Sequence, residues 1–181
     1  MDIRESKSTD LTEILNLHTA AFGTEKGPEI AELVRGLIQD DTAVPRLSLV
    51  ALEGDRIQGH ILFTRAVVAP PFVEVSVQLL APLAVLPGVQ KQGVGGGLIR
   101  EGLERLKASG VELVFVLGHP DYYPRCGFIP AGAQGFDAPY PIPEVHAGAW
   151  MVQALSEGVL GRVRGRIQCA EVLDRPEHWR E

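Results

Sequence analysis

Apolar residues recur at two different periods along the chain. Leu11, Ile14, Leu15 and His18 fall at helical spacing ahead of Gly23, and Ile30, Leu33, Val34 and Leu37 do so after Pro28. Positions three and four apart share one face of a helix, so two amphipathic helices are predicted. Ser8 or Thr9 would cap the first, Gly23 would stop it, and Pro28 suits the first position of the second. A short strand over residues 1–5 precedes them. From Leu47 the texture changes. An apolar run to Leu52, a turn at Glu53-Gly54-Asp55-Arg56 and a long run from Ile57 to Val68 read as a hairpin that Pro70-Pro71 breaks. Val75, Val77 and Leu79 alternate into a further strand ending near Leu86-Pro87. Gly93 to Ser109 reads as a helix with Leu98, Ile99, Gly102, Leu103 and Leu106 on one side, and Val111 to Leu117 as a buried strand. A turn at Asp121 to Cys126, a short strand at Phe128 to Ala131 and a loop over 132–148 come next. Trp150 to Leu155 and Val163 to Cys169 read as two late strands joined at Glu157-Gly158. Early helices, hairpins and then a strand–helix–strand unit predict an α/β chain (an α+β mixed sheet) with helices on its faces.

Composition narrows the class. A chain of 181 residues is about one domain. Glycine at 20 and proline at 13 stay below the ~25–30% of low-complexity chains. A net charge of −6 argues against a general nucleic-acid binder, which needs a basic face. No apolar run approaches the ~18 residues of a membrane span, and the opening residues Met1 to Lys7 lack the apolar core of a signal peptide. Cys126 and Cys169 form neither a CxxC pair nor a zinc spacing. Reduced thiols and a cytoplasmic location are the expectation.

The informative segment runs from Leu83-Ala84-Val85 through Gln90-Lys91-Gln92-Gly93-Val94-Gly95-Gly96 to Leu98. It reads as strand, glycine-rich turn, helix. A helix start carries unpaired N–H donors and partial positive charge, and glycine lets a phosphate approach the backbone. These features imply an anion site for a phosphorylated cofactor. The P-loop pattern is excluded: Gly88 and Gly93 have its spacing, but Val94 and Gly95 stand where it needs Lys and a hydroxyl. The dinucleotide fingerprint is partial, because Leu98 replaces its third glycine. The remaining pattern is Gln90-x-x-Gly93-x-Gly95.

That pattern resembles the pyrophosphate motif of the GNAT superfamily of N-acetyltransferases. Leu83-Ala84-Val85-x-Pro87 is similar to the family's fourth strand, and Tyr123-Pro124-Arg125-Cys126-Gly127-Phe128 to its Y-x-x-x-G-F segment. Pro82 to Val85 together with Leu117 to Tyr123 is similar to a bacterial subgroup of predicted N-acetyltransferases. The resemblance implies a single domain over residues 1–173 with a polar tail from 174 to 181. Its fold would be a mostly antiparallel sheet with a splayed strand pair. It implies acetyl transfer from acetyl-CoA to a primary amine by direct attack in a ternary complex, with no metal. A non-catalytic acyl-CoA-binding or sensor module is the alternative, and a nucleotide binder a more distant one. Backbone groups of Leu83 and Val85, flanking Ala84, would hold the pantetheine arm and polarise the thioester carbonyl. The turn from Gln90 through Lys91, Gln92, Gly93, Val94 and Gly95 to Gly96 would hold the pyrophosphate, and Lys91 or Arg100 the adenosine phosphate. Tyr123 matches the general-acid position, with Tyr122 its rival; a phenol of normal pKa is neutral at pH 7 and can donate. The base is left open between His119, Asp121 and water. The expected partner is a small-molecule or peptide amine acting on a monomer or homodimer, with neither nucleic acid nor membrane.

Other residues take plainer readings. Glu29 and Glu32 could attract a cationic acceptor but suit a solvated helix face. Cys126 reads as a small buried hydrophobe, and His18 as a packed residue. His60, His146 and His178 have no second ligand in sequence reach. Arg162, Arg164 and Arg166 alternate and would share one face of a solvated edge strand. Trp150 would anchor the sheet.

Overall fold

A computed structural model describes residues 1–69 and 73–180; the expected break at Pro70-Pro71 lies outside them. The chain runs β1 (Asp2–Glu5), α1 (Leu11–Gln39), β2 (Leu47–Glu53), β3 (Arg56–Ala69), β4 (Val73–Val85) and α2 (Val94–Ala108). It continues through β5 (Leu113–Leu117), β6 (Ile129–Pro130), β7 (Phe136–Asp137), β8 (Trp150–Ala154) and β9 (Gly165–Gln168).

The two early helices are the two arms of α1, which kinks at Gly23 (φ 85°, ψ −179°). Only glycine adopts that backbone cheaply. The second arm begins ahead of Pro28, not at it, and packs so closely on the first that a Cβ on Gly27 would collide with the Thr19 backbone. The expected hydroxyl cap is corrected. Ser8 and Thr9 lie in a 3-10 turn, and Asp10 is the N-cap. The Asp10 carboxylate accepts from the Lys7 N–H at 2.7 Å and from Arg4 at 2.8 and 3.2 Å. Arg4 thereby holds that carboxyl below its usual range.

The strands form one sheet in the order β1-β2-β3-β4-β5-β8-β6, with β9 bridging β3 and β7. Among these strands only β4–β5 and β7–β9 pair in parallel. Alternation along the strands sorts side chains to two faces. Ile61, Phe63, Leu80, Val114 and Val116 pack with Leu98, Ile99 and Leu103 of α2. Leu62, Val77, Leu79, Leu113 and Phe115 pack with Leu33 and Leu37 of α1. Each face thus carries one helix.

The late strands correct the sequence reading. Both exist, shorter than expected, and the link through Glu157-Gly158 does not pair them: β8 pairs with β5 and β6, while β9 pairs with β3 and β7. Short strands with weak alternation do not announce their partners. Of the three alternating arginines only Arg166 lies in β9; Arg162 precedes it and reaches Glu112 at 3.6 Å. Trp150 does anchor the sheet: its indole stacks on Phe115 at 5.2 Å and donates to the Phe136 carbonyl at 3.0 Å. Beyond residue 174 the chain folds back, and Trp179, 3% exposed, packs edge-on to Trp150 at 5.7 Å.

Candidate active site

β4 and β5 pair only from Val77–Leu113 to Leu80–Val116. Leu117 then turns to Trp150, and the Gly118 N–H donates to Ala149 at 2.9 Å. β4 continues to Val85 against β3 alone. Its register slips by one extra residue at Ala81-Pro82, since Leu83 faces Ile61 while Leu80 faces Phe63. Such a bulge bends a strand and re-aims the residues beyond it. The Leu86 N–H donates to Gln58 at 2.9 Å. Backbone groups alternate in direction along a strand, so Ala84 also turns to β3, while Leu83 and Val85 present theirs to the parted side. The Gln90 amide donates to the Val85 carbonyl at 3.2 Å and braces the turn into α2.

That turn has unusual backbone geometry. Lys91 is the single non-glycine described residue with positive φ, at 63°, and Gly93 has φ 88° as the N-cap of α2. No N–H from Lys91 to Gly96 donates to a described protein acceptor, the first being Gly97 to Gly93 at 3.0 Å. Successive free N–H groups around left-handed residues form an anion-binding concavity. Nothing described lies within 4 Å of a Cβ built on Gly93. Lys91, Gln92 and Gly93 are exposed, whereas Val94 turns into the core. Arg100 brings its guanidinium within 3.3 Å of where a Gly96 Cβ would sit.

The opposite lip comes from the segment after β5. The N–H groups of Tyr122 and Tyr123 both point to the His119 carbonyl, at 3.1 and 3.3 Å. Tyr123 starts a 3-10 turn that Gly127 closes at φ 98°, returning Phe128 to the core. The Tyr123 ring lies flush on Gly118, where any Cβ would collide with it, and edge-on to Phe128 at 5.7 Å. Burial pushes its phenol well above the ordinary value, with Tyr122 and Cys126 adding to the effect. Tyr123 is therefore neutral at physiological pH and keeps its O–H available to donate. Tyr122 is half-buried, and its hydroxyl reaches the start of α2, where it would collide with a Cβ on Gly95. Burial also raises the Cys126 thiol, which makes a thiolate nucleophile there unfavourable.

The parted strands thus bring together Leu83, Ala84 and Val85, the turn from Gln90 to Gly96, and both tyrosines. His119 and Asp121 are exposed beyond Gly118. Glu29 and Glu32 are exposed on α1, and Glu32 pairs with Arg35 at 3.2 Å, as a solvated face would. Two features escaped the sequence. One is the contact of Tyr122 with Gly95. The other is a buried pair of histidines, His18 and His60, 2.8 Å apart between ring nitrogens. No sequence spacing links residues on α1 and β3. Among the described residues no cluster of three or more His, Cys, Asp or Glu side chains could hold a metal, and no helix is long and apolar enough to cross a membrane.

A sheet parted beside a glycine-rich helix start defines an acyltransferase architecture, and residues 2–131 match the acetyltransferase (GNAT) domain. The chain belongs to that family. It is 47% identical over 164 residues to the uncharacterized N-acetyltransferase YjhQ of Escherichia coli strain K12, covering 90% of this chain and 88% of that protein. The crystal structure of the E. coli GNAT family N-acetyltransferase YhbS in complex with CoA superposes with TM-score 0.85 at 28% identity, covering 96% of this chain and 92% of that one. A GNAT family acetyltransferase from Brucella melitensis in complex with acetyl-CoA gives TM-score 0.75 at 28% identity, over 96% and 97% of the two chains.

Proposed function

We propose that this acetyltransferase moves the acetyl group of acetyl-CoA to a primary amine by direct attack in a ternary complex. The observation that carries the proposal is the parting of β4 from β5 beside a helix start whose N–H groups are unpaired. The cradle suits a pantetheine pyrophosphate, because Gly93 leaves its approach open. The CoA-bound and acetyl-CoA-bound relatives support the same ligand. Main-chain groups of Leu83 and Val85, either side of Ala84, hold the pantetheine arm, and an N–H there polarises the thioester carbonyl. Donors fixed where negative charge grows are worth about 3 kcal/mol each. The N–H groups of Lys91, Gln92, Gly93, Val94, Gly95 and Gly96 hold the pyrophosphate, with Gln90 bracing their turn. Tyr123 stays protonated at neutral pH and donates its O–H toward the leaving sulfur, although burial raises its pKa and so makes it the weaker acid. His119, Asp121 or water takes a proton from the acceptor ammonium, and the free amine attacks. Holding both reactants in one cleft supplies the rest through proximity.

Calorimetric titration with acetyl-CoA should show saturable one-site binding, and thiol release over a panel of primary amines should identify a turned-over acceptor. Tyr123→Phe should lower kcat by roughly 100-fold or more while the acetyl-CoA KM stays within about threefold. Unchanged turnover would remove Tyr123 from the role, and acetyl-CoA binding without thiol release for any amine would leave a binding module in place of an enzyme.

A further inference from the structure

A second pocket lies away from the parted strands, on the α1 side near the β1 edge. Its volume is about 420 Å³, and it is lined by Ser6, Lys7, Arg46 and Ser48, with Ile14 and Ile38 as an apolar wall. Arg46 donates to the Asp40 carbonyl at 3.1 Å, which fixes its guanidinium at the rim. Neither Lys7 nor Arg46 forms a salt bridge to a described residue. Glu5 lines the same rim, and Asp40 and Asp10 lie within electrostatic reach of Arg46 and Lys7, so the local positive charge is small and suits at most a monoanion.

The pocket floor continues into the core as a single file of hydrogen bonds. The Ser6 hydroxyl donates to Ser48 Oγ at 2.7 Å. Ser48 Oγ lies 2.8 Å from His60 Nε2, and His60 Nδ1 lies 2.8 Å from His18 Nε2. Both histidines are 0% exposed, and His18 Nδ1 has no partner. His60 stands directly across from Ala84 on β4, so the file passes one strand from the proposed thioester site.

We infer that this pocket binds a small monocarboxylate with an apolar body, and that the ligand fixes the tautomers of His60 and His18 through the Ser48 hydroxyl. The carboxylate meets Lys7 and Arg46, and the alkyl body meets Ile14 and Ile38. Two neutral proton arrangements satisfy the file. In one, Ser48 donates to His60 Nε2, His60 donates from Nδ1 to His18 Nε2, and His18 carries its proton on Nδ1. In the other, His60 donates from Nε2 to Ser48, His18 donates from Nε2 to His60 Nδ1, and His18 Nδ1 is a bare lone pair. Each imidazole keeps one proton in both. Only the second frees the Ser48 hydroxyl to donate into the pocket, so a carboxylate accepting that proton selects it. Burial keeps both rings neutral, as the file requires.

The test is a titration of the full chain, labelled with ¹⁵N at its histidines, with sodium isovalerate at constant ionic strength. The expected result is saturable binding in which His18 Nδ1 takes on an unprotonated signature and His60 Nε2 a protonated one. Lys7→Gln with Arg46→Gln should weaken binding about tenfold or more. Ser48→Ala should still bind but leave the histidine signals unmoved. An equal response to neutral isovaleramide, tighter binding of inorganic phosphate, or no saturation would overturn the carboxylate site. Histidine signals that track the ligand equally in Ser48→Ala would overturn the file. Acetyl-CoA affinity should be unchanged in all these variants, so the outcome is independent of the proposed acetyl transfer.

Discussion

Substituting Gly95 by alanine probes the contact between the two lips of the cleft. Gly95 has helical backbone in the first turn of α2, so alanine there gains about 1 kcal/mol of helix propensity. The new Cβ, however, collides with the Tyr122 hydroxyl. The Tyr122 ring is edge-on to Tyr123 at 5.2 Å and cannot swing freely. Overpacking of this kind costs about 1–3 kcal/mol, so Gly95→Ala alone should come out neutral to about 2 kcal/mol less stable. Removing the oxygen relieves the clash. The next atoms are Tyr122 Cζ and Val85 Cγ2, both at 3.6 Å, an ordinary contact. In a Tyr122→Phe background the same substitution should therefore stabilise by up to about 1 kcal/mol, a coupling of about 1–3 kcal/mol across the pair. Urea unfolding of the four proteins measures the cycle, and acetyl-CoA calorimetry on each reports whether the displaced tyrosine narrows the cofactor groove. Gly95→Ala is expected to bind more weakly than the double variant. Additive stabilities, within about 0.3 kcal/mol, would refute the placement of Tyr122 against α2.

Three further outcomes are expected from the same structure. Gly93→Ala has room for its Cβ but must hold φ 88°, so it should cost about 1–2 kcal/mol in unfolding free energy and weaken acetyl-CoA binding; unchanged stability would contradict the left-handed turn. Burial lowers His18 from 6.5 to about 4, so the unfolded chain binds its proton first as pH falls. Stability from this group is full above pH 6.5 and is lost between there and about pH 4, a loss of about 3 kcal/mol. Urea midpoints between pH 7 and 4 should show that decline and a shallower one in His18→Leu; equal slopes would sink it. Trp179→Ala should destabilise by about 3–5 kcal/mol, read by thermal melting, whereas a free terminal segment would leave the melt unmoved.

The local elements were legible because their causes are local. Helical spacing at Leu11, Ile14 and Leu15, alternation at Val75, Val77 and Leu79 in β4, and the order of strand, glycine turn and helix around Gly93 depend on neighbours within a few residues. The same run carried the anion-site chemistry, since free N–H groups at a helix start depend only on where the helix begins. The resemblance at Gln90-x-x-Gly93-x-Gly95 and Tyr123 to Phe128 then supplied the family.

Tertiary structure alone decided pairing and approach. The separate partners of β8 and β9, the contact of Tyr122 with Gly95, and the return of Trp179 to Trp150 join residues distant in the chain. So does the file from Ser6 to His18, in which four polar residues on three elements and the segment after β1 meet beneath α1. Periodicity states which face of an element is apolar. It is silent on which other face will cover it, because that choice is made by the whole core packing at once.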